Sequence, residues 1–298
     1  MKKMLFLMNP NAGLRKGARL LPEILTVFQE GGYDVTVFMT TGPGSGARIV
    51  EPRAGDYDLI VCAGGDGTLN ETVSGVIRSG IDRPVGYIPC GSTNDFASTL
   101  KLSTDVIQAA KDIMMGTDQL YDLGVFNDRY FSYVASFGAF TKVSYTTPQN
   151  LKNVLGHLAY LLSGIQELTQ IRNIPMTVEI DGEVVEGEYI FGAVSNATSV
   201  GGVITLNPRY VDLRDGKFEV TLVRMPKDLT EVGACVVALQ TQDYNCEPIT
   251  FRTASSLTIR QAADVDWTLD GERAEGGEVI HIENLHKAFR LRHRLETI

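Results

Sequence analysis

Short apolar runs alternate with stretches of helical period through the first ~120 residues, a length that suits one domain. Lys3–Met8, Val35–Met39, Leu59–Ala63 and Val85–Ile88 read as buried strands. Between them, Gly17–Glu30 places Leu20, Leu21, Ile24, Leu25, Val27 and Phe28 on one apolar helical face and closes on Gly31-Gly32. Ser45–Arg53, Leu69–Ile77, Asn94–Leu100 and Val106–Met115 continue the helical pattern. Strands joined through helices predict parallel βαβ units, whose ligand loops lie at the carboxyl ends of the strands. After Leu120 the period changes. Tyr130–Val134, Met176–Ile180, Val184–Val194, Phe218–Val223, Ser256–Ile259, Val265–Leu269 and Val279–Ile282 read as strands, with Asp181-Gly182 as a hairpin turn. Helices are expected at Leu151–Thr169 and Leu229–Leu239. The pattern therefore divides the chain into an α/β domain, residues 1–122, with the tail 289–298 available to complete it, and a mainly antiparallel β domain, residues 123–288.

Composition narrows the classes of function. The chain of 298 residues carries 27 basic and 36 acidic side chains, a net charge of −9. With a pI near 5.0 it lacks the basic character of a nonspecific nucleic-acid binder, so no nucleic-acid partner is expected. Cys62, Cys90, Cys235 and Cys246 are scattered without a C-x-x-C pair or matching histidines, against a zinc site or a disulfide framework. The apolar stretch Val154–Ile165 is too short to span a bilayer, and the start offers only a short apolar run before Asn9-Pro10. The expectation is a cytoplasmic protein with at most a peripheral membrane contact. The oligomeric state is open at this level, a homodimer included.

The chemistry concentrates in a few turns. Asn9-Pro10-Asn11-Ala12-Gly13 follows the first strand, and its small residues allow backbone N–H groups near an anion. Gly64-Gly65-Asp66-Gly67-Thr68-Leu69-Asn70-Glu71 is the sharpest signal: three glycines surround one aspartate at the end of a buried strand. Thr68 is read as the cap of the next helix, and Gly67 as a residue needing positive φ. A carboxylate in an anion-binding turn suggests a cation between Asp66 and phosphates, hence a metal-bound nucleoside triphosphate. Gly91-Ser92-Thr93-Asn94-Asp95-Phe96-Ala97 follows the next strand, with Thr93 or Asn94 as the expected helix cap. In the second domain, Asp270-Gly271-Glu272 is either a plain hairpin or a carboxylate pair for proton transfer. Asp212-Leu213-Arg214-Asp215-Gly216-Lys217 is a second acidic turn, either a hairpin or a hard-cation site. The basic tail His286–Arg294 reads as a solvated terminal strand or helix, with contact to anionic lipid as the alternative.

Taken in order over nearly the whole length, these segments resemble the diacylglycerol kinase and sphingosine kinase catalytic fold, in its bacterial lipid-kinase branch. Gly-Gly-Asp-Gly-Thr alone is shared with NAD kinases and phosphofructokinases; Leu69-Asn70-Glu71 and Thr93-Asn94-Asp95 select lipid kinases. The resemblance implies an α/β domain with Gly-rich phosphate loops of the NAD kinase/diacylglycerol kinase type and a β-sandwich second domain on the lipid side, with the nucleotide between them. It implies ATP contacts at Asn9, Pro10, Asn11, Ala12, Gly13, Thr40, Gly65, Asp66, Gly67, Thr68, Leu69, Asn70, Glu71 and Ser92. It implies Glu272 as the base, Asp66 and Asp95 as further essential acids, and Mg²⁺ on Asp215 with the carbonyls of Asp212 and Lys217. Ser92 departs from the threonine of many members but keeps the hydroxyl. The expected reaction is ATP-dependent phosphorylation of a membrane lipid, diacylglycerol first; the rivals are a kinase of a soluble acceptor such as NAD and a non-catalytic nucleotide- or lipid-binding regulator.

Overall fold

Met4 to Met8 are five consecutive fully buried residues, a run that suits a strand covered on both faces. The computed structural model, which describes residues 1–138, 172–200 and 204–294, places them in β1 (Lys2–Met8). The chain divides into two compact units, Met1–Leu123 with the return from His286, and Gly124–Leu285.

In the first unit β1 lies between β2 (Tyr33–Met39) and β3 (Leu59–Gly64), and β4 (Val85–Pro89) pairs with β3, all in parallel. The order β2-β1-β3-β4 reverses direction at β1, the switch point beyond which ligands of open α/β sheets bind. One face of β1 presents Met4, Phe6 and Met8 to α2 (Leu21–Glu30) and α6 (Val106–Met115), with Ile24, Phe28, Ala110 and Ile113 in the same core. Phe6 and Phe28 meet edge to face at 5.4 Å, a geometry worth about 0.5–1.5 kcal/mol beyond burial. The connection from β2 to β3 carries α3 (Ser45–Val50), which packs on α4 (Asp66–Ser79) so closely that a Cβ at Gly75 would stand 2.8 Å from the Val50 Cβ.

One expectation needs adjusting in this unit, and another is narrowed. The single helix over Gly17–Glu30 is broken into α1 (Lys16–Arg19) and α2, because Pro22 lacks the N–H that a continuous helix would need there. Of the two forms open to the basic tail it takes the strand, with His286, Lys287 and Arg294 exposed and Arg290 and Arg292 half-buried. It is the end of β17 (Val279–His293), whose Leu291 sits beside Val85 in parallel. Arg290 pairs with Asp82 at 2.9 Å, and Arg292 grips Asp118 and the Tyr33 hydroxyl. Those two charges are held by this chain's own acids, which weakens the tail as a lipid-binding cluster.

Among the described residues the strands of the second unit pair antiparallel. The unit comprises β6 (Arg129–Phe131), β7 (Val134–Gly138), β8 (Ile174–Ile180), β9 (Glu183–Ser195), β12 (Phe218–Arg224), β13 (Ile249–Ala254), β14 (Ser256–Arg260), β15 (Asp266–Leu269) and β16 (Glu272–Glu275), with the short pair β10 (Ser199–Val200) and β11 (Ile204–Thr205). The tip of β5 (Thr117–Phe126) pairs with β6. The long strand β9 serves three partners: its first half forms a hairpin with β8, and its second half runs between β7 and β12. Trp267, Phe137, Phe131, Phe218, Val220 and Ile280 fill the core that results. The expected strand over Tyr130–Val134 is two, β6 and β7, interrupted at Ser132-Tyr133. The helix expected at Leu151–Thr169 lies outside the described residues.

Helix α7 (Leu229–Thr241) starts on Asp228, whose carboxylate accepts from the Glu231 N–H at 2.9 Å. Glu231 in turn takes both terminal nitrogens of Arg224, at 2.8 and 2.9 Å, and the Lys227 N–H. The Arg224 guanidinium, followed by that N–H, holds the Glu231 carboxyl down at about 2, against 4.5 for a free glutamate. A carboxyl depressed in the folded state stabilises fully above its unfolded pKa and stops doing so as pH falls through the folded one. Glu231→Gln is therefore expected to lower Tm at pH 7, with the gap to wild type closing between pH 4.5 and about pH 2 in a melting series.

Candidate active site

The carboxyl ends of β1, β3 and β4 are tied to one another through the backbone. The Asn9 N–H donates to the Ala63 carbonyl at 2.9 Å, and the Cys90 N–H to the Gly64 carbonyl at 2.7 Å. Two approaches leave no room for side chains. A Cβ on Gly13, whose φ is +42°, would stand 1.8 Å from the Cys90 oxygen, and one on Gly91 would stand 2.6 Å from the Gly65 Cα. The three turns beginning at Asn9, Gly64 and Gly91 thus meet around the start of α4, a 14-residue helix whose first turn is aimed at this point. Such a cradle of backbone N–H groups, small residues and a helix dipole suits phosphate oxygens.

The side chains of the glycine-rich turn divide by role. Asp66 is buried, and its two oxygens accept from the Asp95 N–H at 2.9 Å and the Phe96 N–H at 3.3 Å. It caps α5 (Asp95–Thr99) across the loop boundary, the task expected of Thr93 or Asn94. Glu71 accepts from the N–H groups of Gly44 and Gly46 at 2.5 and 2.7 Å, and so fixes the loop that follows Thr40. Thr40 itself donates its N–H to the Met8 carbonyl. Leu69 is fully buried, which leaves only its backbone for any ligand, while the Asn70 amide oxygen accepts from Ser74. Ser92 and Asn11 are exposed, and Asn9, Pro10, Ala12 and Gly13 are half-buried.

Two readings from sequence are corrected here. Thr68 does not cap α4: the cap position is Gly65 without a side-chain bond, and the Thr68 hydroxyl instead receives the Asn9 amide at 3.4 Å. Gly67 lies in the first turn of α4 and is not among the positive-φ residues, so its freedom is not conformational. The glycine that needs both φ and space is Gly13.

Sequence reasoning missed Tyr87, an ordinary β4 residue by pattern. Its hydroxyl donates to Asn94 Oδ1 at 3.3 Å, and that oxygen also accepts from the Gly91 N–H at 2.8 Å. Burial first, then the nearby Asp66, Cys62, Cys90 and Asp95, push this phenol well above its ordinary range, so it remains a donor. The tolerance of Asn94 for φ of +51° is what lets one side chain close the loop on itself.

In the second unit, Asp270 and Gly271 occupy the two turn positions between β15 and β16, with φ of +49° and +83°. Asp-Gly suits such a turn because both residues tolerate the left-handed region. The Asp270 carboxylate is buried and accepts three backbone N–H bonds, from Ser132 at 2.6 Å, Tyr133 at 3.0 Å and Val134 at 3.1 Å. Glu272, the first residue of β16, is exposed.

The turn ahead of β12 has Asp215 Oδ1 accepting from the Lys217 N–H at 2.9 Å and Asp212 Oδ1 from the Arg214 N–H at 3.1 Å. Burial, then Asp215 and Asp212, push the neighbouring Glu219 carboxyl up to about 9, and its Oε2 is buried without a hydrogen-bond partner. The carboxylate and carbonyl oxygens of this turn are donors of the kind a hard cation takes, with Arg214 standing 3.6 Å from Asp212 and offsetting part of their charge. Among the described residues no three His, Cys, Asp or Glu side chains gather at metal-ligand reach. A cation here would rest on one carboxylate, main-chain carbonyls and water.

Residues 3–126 match the diacylglycerol kinase catalytic domain, and residues 134–283 match the YegS C-terminal NAD kinase beta sandwich-like domain. The diacylglycerol kinase of Bacillus subtilis (strain 168) is 32% identical over 274 residues, covering 91% of this chain and 90% of that protein. The chain belongs to the diacylglycerol kinase family. It is a lipid kinase of two domains, the first α/β with a parallel sheet and the second a β-sandwich. The diacylglycerol kinase of Staphylococcus carnosus (strain TM300) is 33% identical, covering 91% of this chain and 89% of that one. A crystal structure of a diacylglycerol kinase from Bacillus anthracis str. Sterne shares the fold at a TM-score of 0.75, with 23% identity and coverage of 100% and 98%. Another structure from that organism superposes at a TM-score of 0.80, with 25% identity and coverage of 100% and 97%. No helix among the described residues of this kinase is long and apolar enough to cross a membrane.

Proposed function

We propose that this kinase transfers the γ-phosphoryl group of ATP to the hydroxyl of diacylglycerol, forming phosphatidic acid and ADP. The observation that carries the reading is the meeting of three turns at the carboxyl ends of β1, β3 and β4, where Gly13, Gly65 and Gly91 bring the backbone together at the start of α4 with no side chain between it and a phosphate. Relatives named diacylglycerol kinase over nine-tenths of the chain support the acceptor.

Phosphoryl transfer needs positioning and charge stabilisation more than covalent chemistry. In this reading Asn9–Gly13 and Gly65–Glu71 hold the phosphates, with Thr40 and Ser92 as further nucleotide contacts. Asp66 and Glu71 act through the loops they clamp, since their oxygens engage this chain's own N–H groups. Asp95 is the acid of the adjoining turn. Glu272 accepts the hydroxyl proton of the lipid as the new O–P bond forms and ADP leaves. Mg²⁺, when bound, neutralises charge developing on the phosphoryl oxygens. Asp215, with the carbonyls of Asp212 and Lys217, is the proposed holder of a second, structural Mg²⁺. The lipid is taken from a membrane surface by peripheral contact.

The test is transfer of labelled γ-phosphate from ATP, in Mg²⁺, to a panel of lipids in mixed micelles with NAD as a parallel acceptor. Label in phosphatidic acid is expected. Label in NADP alone, or ATP binding with no transfer to any acceptor, would overturn the reading.

A further inference from the structure

The first unit contains a cavity of about 610 Å³ that none of the nucleotide turns lines. Its walls are the Lys101–Ser103 segment, one side of α6 and the end of β17. That volume is in the range of pockets that hold a small organic ligand, about 300–1,000 Å³.

The charge of the wall is unusual for a chain with a net charge of −9. Lys101, Arg292 and Arg294 are cations, and Asp112 is the sole acid among the lining residues. Arg292 is already matched by Asp118 and Tyr33, which fixes it in place and offsets its charge. His293 spends both ring nitrogens, on the Tyr121 hydroxyl at 2.7 Å and the Arg294 carbonyl at 3.1 Å. Asp112 Oδ1 accepts from Gln108. Lys101 and Arg294, by contrast, enter no ion pair among the described residues. The Ser103 hydroxyl is engaged with the Asp105 backbone, so the pocket's offer is two cations without an ion pair among the described residues, which in a pocket of this size are complementary to a compact anion of high charge.

We propose that this cavity binds a soluble phosphate ester, with Lys101 and Arg294 as the charge partners, and that occupancy is felt at the nucleotide turns. The route of coupling is short. Tyr87 is both a wall of the cavity and the donor to Asn94 Oδ1, and Leu102, also in the wall, donates its N–H to the Ala97 carbonyl of α5. A ligand that orders these residues therefore biases the helix that Asp66 caps. The regulatory half of the proposal rests on the nucleotide reading above; the binding half does not.

The experiment is a melting series on the full chain with a non-hydrolysable ATP analogue present, so that the nucleotide turns are occupied throughout. Glycerol 3-phosphate at about 10 mM, against chloride at matched ionic strength, is expected to raise Tm by roughly 2 °C or more. Lys101→Glu with Arg294→Glu should abolish the shift, and the milder Lys101→Ala with Arg294→Ala should reduce it should the charge-reversed pair fold poorly. In the same proteins, glycerol 3-phosphate should change the apparent ATP affinity of wild type at least twofold and leave that of the variants unchanged. A shift that survives both variants, or no shift in wild type, would overturn the site. Protection by phosphatidylglycerol vesicles in place of the soluble ester would reassign the cavity to a lipid headgroup and overturn the proposal. Binding without any change in ATP affinity would remove the coupling.

Discussion

Glu272→Gln is expected to leave ATP affinity within about twofold of wild type and to cut lipid phosphorylation by about 10²–10⁴-fold, the usual contribution of a positioned general base. Glutamine keeps the length and polarity of the side chain but cannot take the proton of the attacking hydroxyl. The residue is exposed at the start of β16, and glutamine preserves its shape there, so the variant is expected to remain folded at the assay temperature. Single-turnover transfer to diacylglycerol, alongside nucleotide titration and a melting curve, checks all three statements. A fall in turnover accompanied by a matching fall in Tm would assign Glu272 a structural part instead.

Asp270→Ala is expected to fail in the opposite manner. Its carboxylate receives three backbone N–H groups, of Ser132, Tyr133 and Val134, at the point where β6 gives way to β7. Removing it strands those donors in a buried site, at about 1–3 kcal/mol for each group left unsatisfied. Three such groups total about 3–9 kcal/mol, which lowers Tm by roughly 6 °C or more for a chain of this size. Activity should then fall with the folded fraction and recover on cooling, whereas the loss in Glu272→Gln should be independent of temperature below the melt. If Asp270→Ala instead retains wild-type Tm while losing all transfer, the two acids have exchanged roles and Asp270 is the base.

The contrast between these two acids shows what could be read from the chain and what could not. Hydrophobic period and glycine punctuation located β1 to β4, α6 and the Asp181-Gly182 and Asp270-Gly271 turns within a residue or two, because those signals are local. The identity of the acids as a group was also visible, since Asp66, Glu71 and Asp270 stand in glycine-rich turns. Their tasks were not visible. Asp66 meets the N–H groups of residues 29 and 30 positions away, Glu71 those of residues 25 and 27 away, and Asp270 those of residues 136 to 138 away. Only tertiary structure supplies such partners.

The same limit explains the tail. Its basic residues suggest a solvated end, and His286, Lys287 and Arg294 are exposed, but Asp82 and Asp118, which neutralise Arg290 and Arg292, are remote in sequence. Pairing with β4 then turns a terminal segment into part of the α/β sheet. Tyr87 carries no motif at all, and its role is set by Asn94 adopting a left-handed backbone opposite it.

The most direct measurement is transfer of labelled phosphate from ATP to diacylglycerol in mixed micelles by wild type and Glu272→Gln, at a temperature where both are fully folded. The expected result is labelled phosphatidic acid from wild type and at least a hundredfold less from the variant, with equal nucleotide binding. Comparable label from both proteins would contradict the assignment of Glu272 as the base, and no labelled lipid from wild type would contradict diacylglycerol as the acceptor.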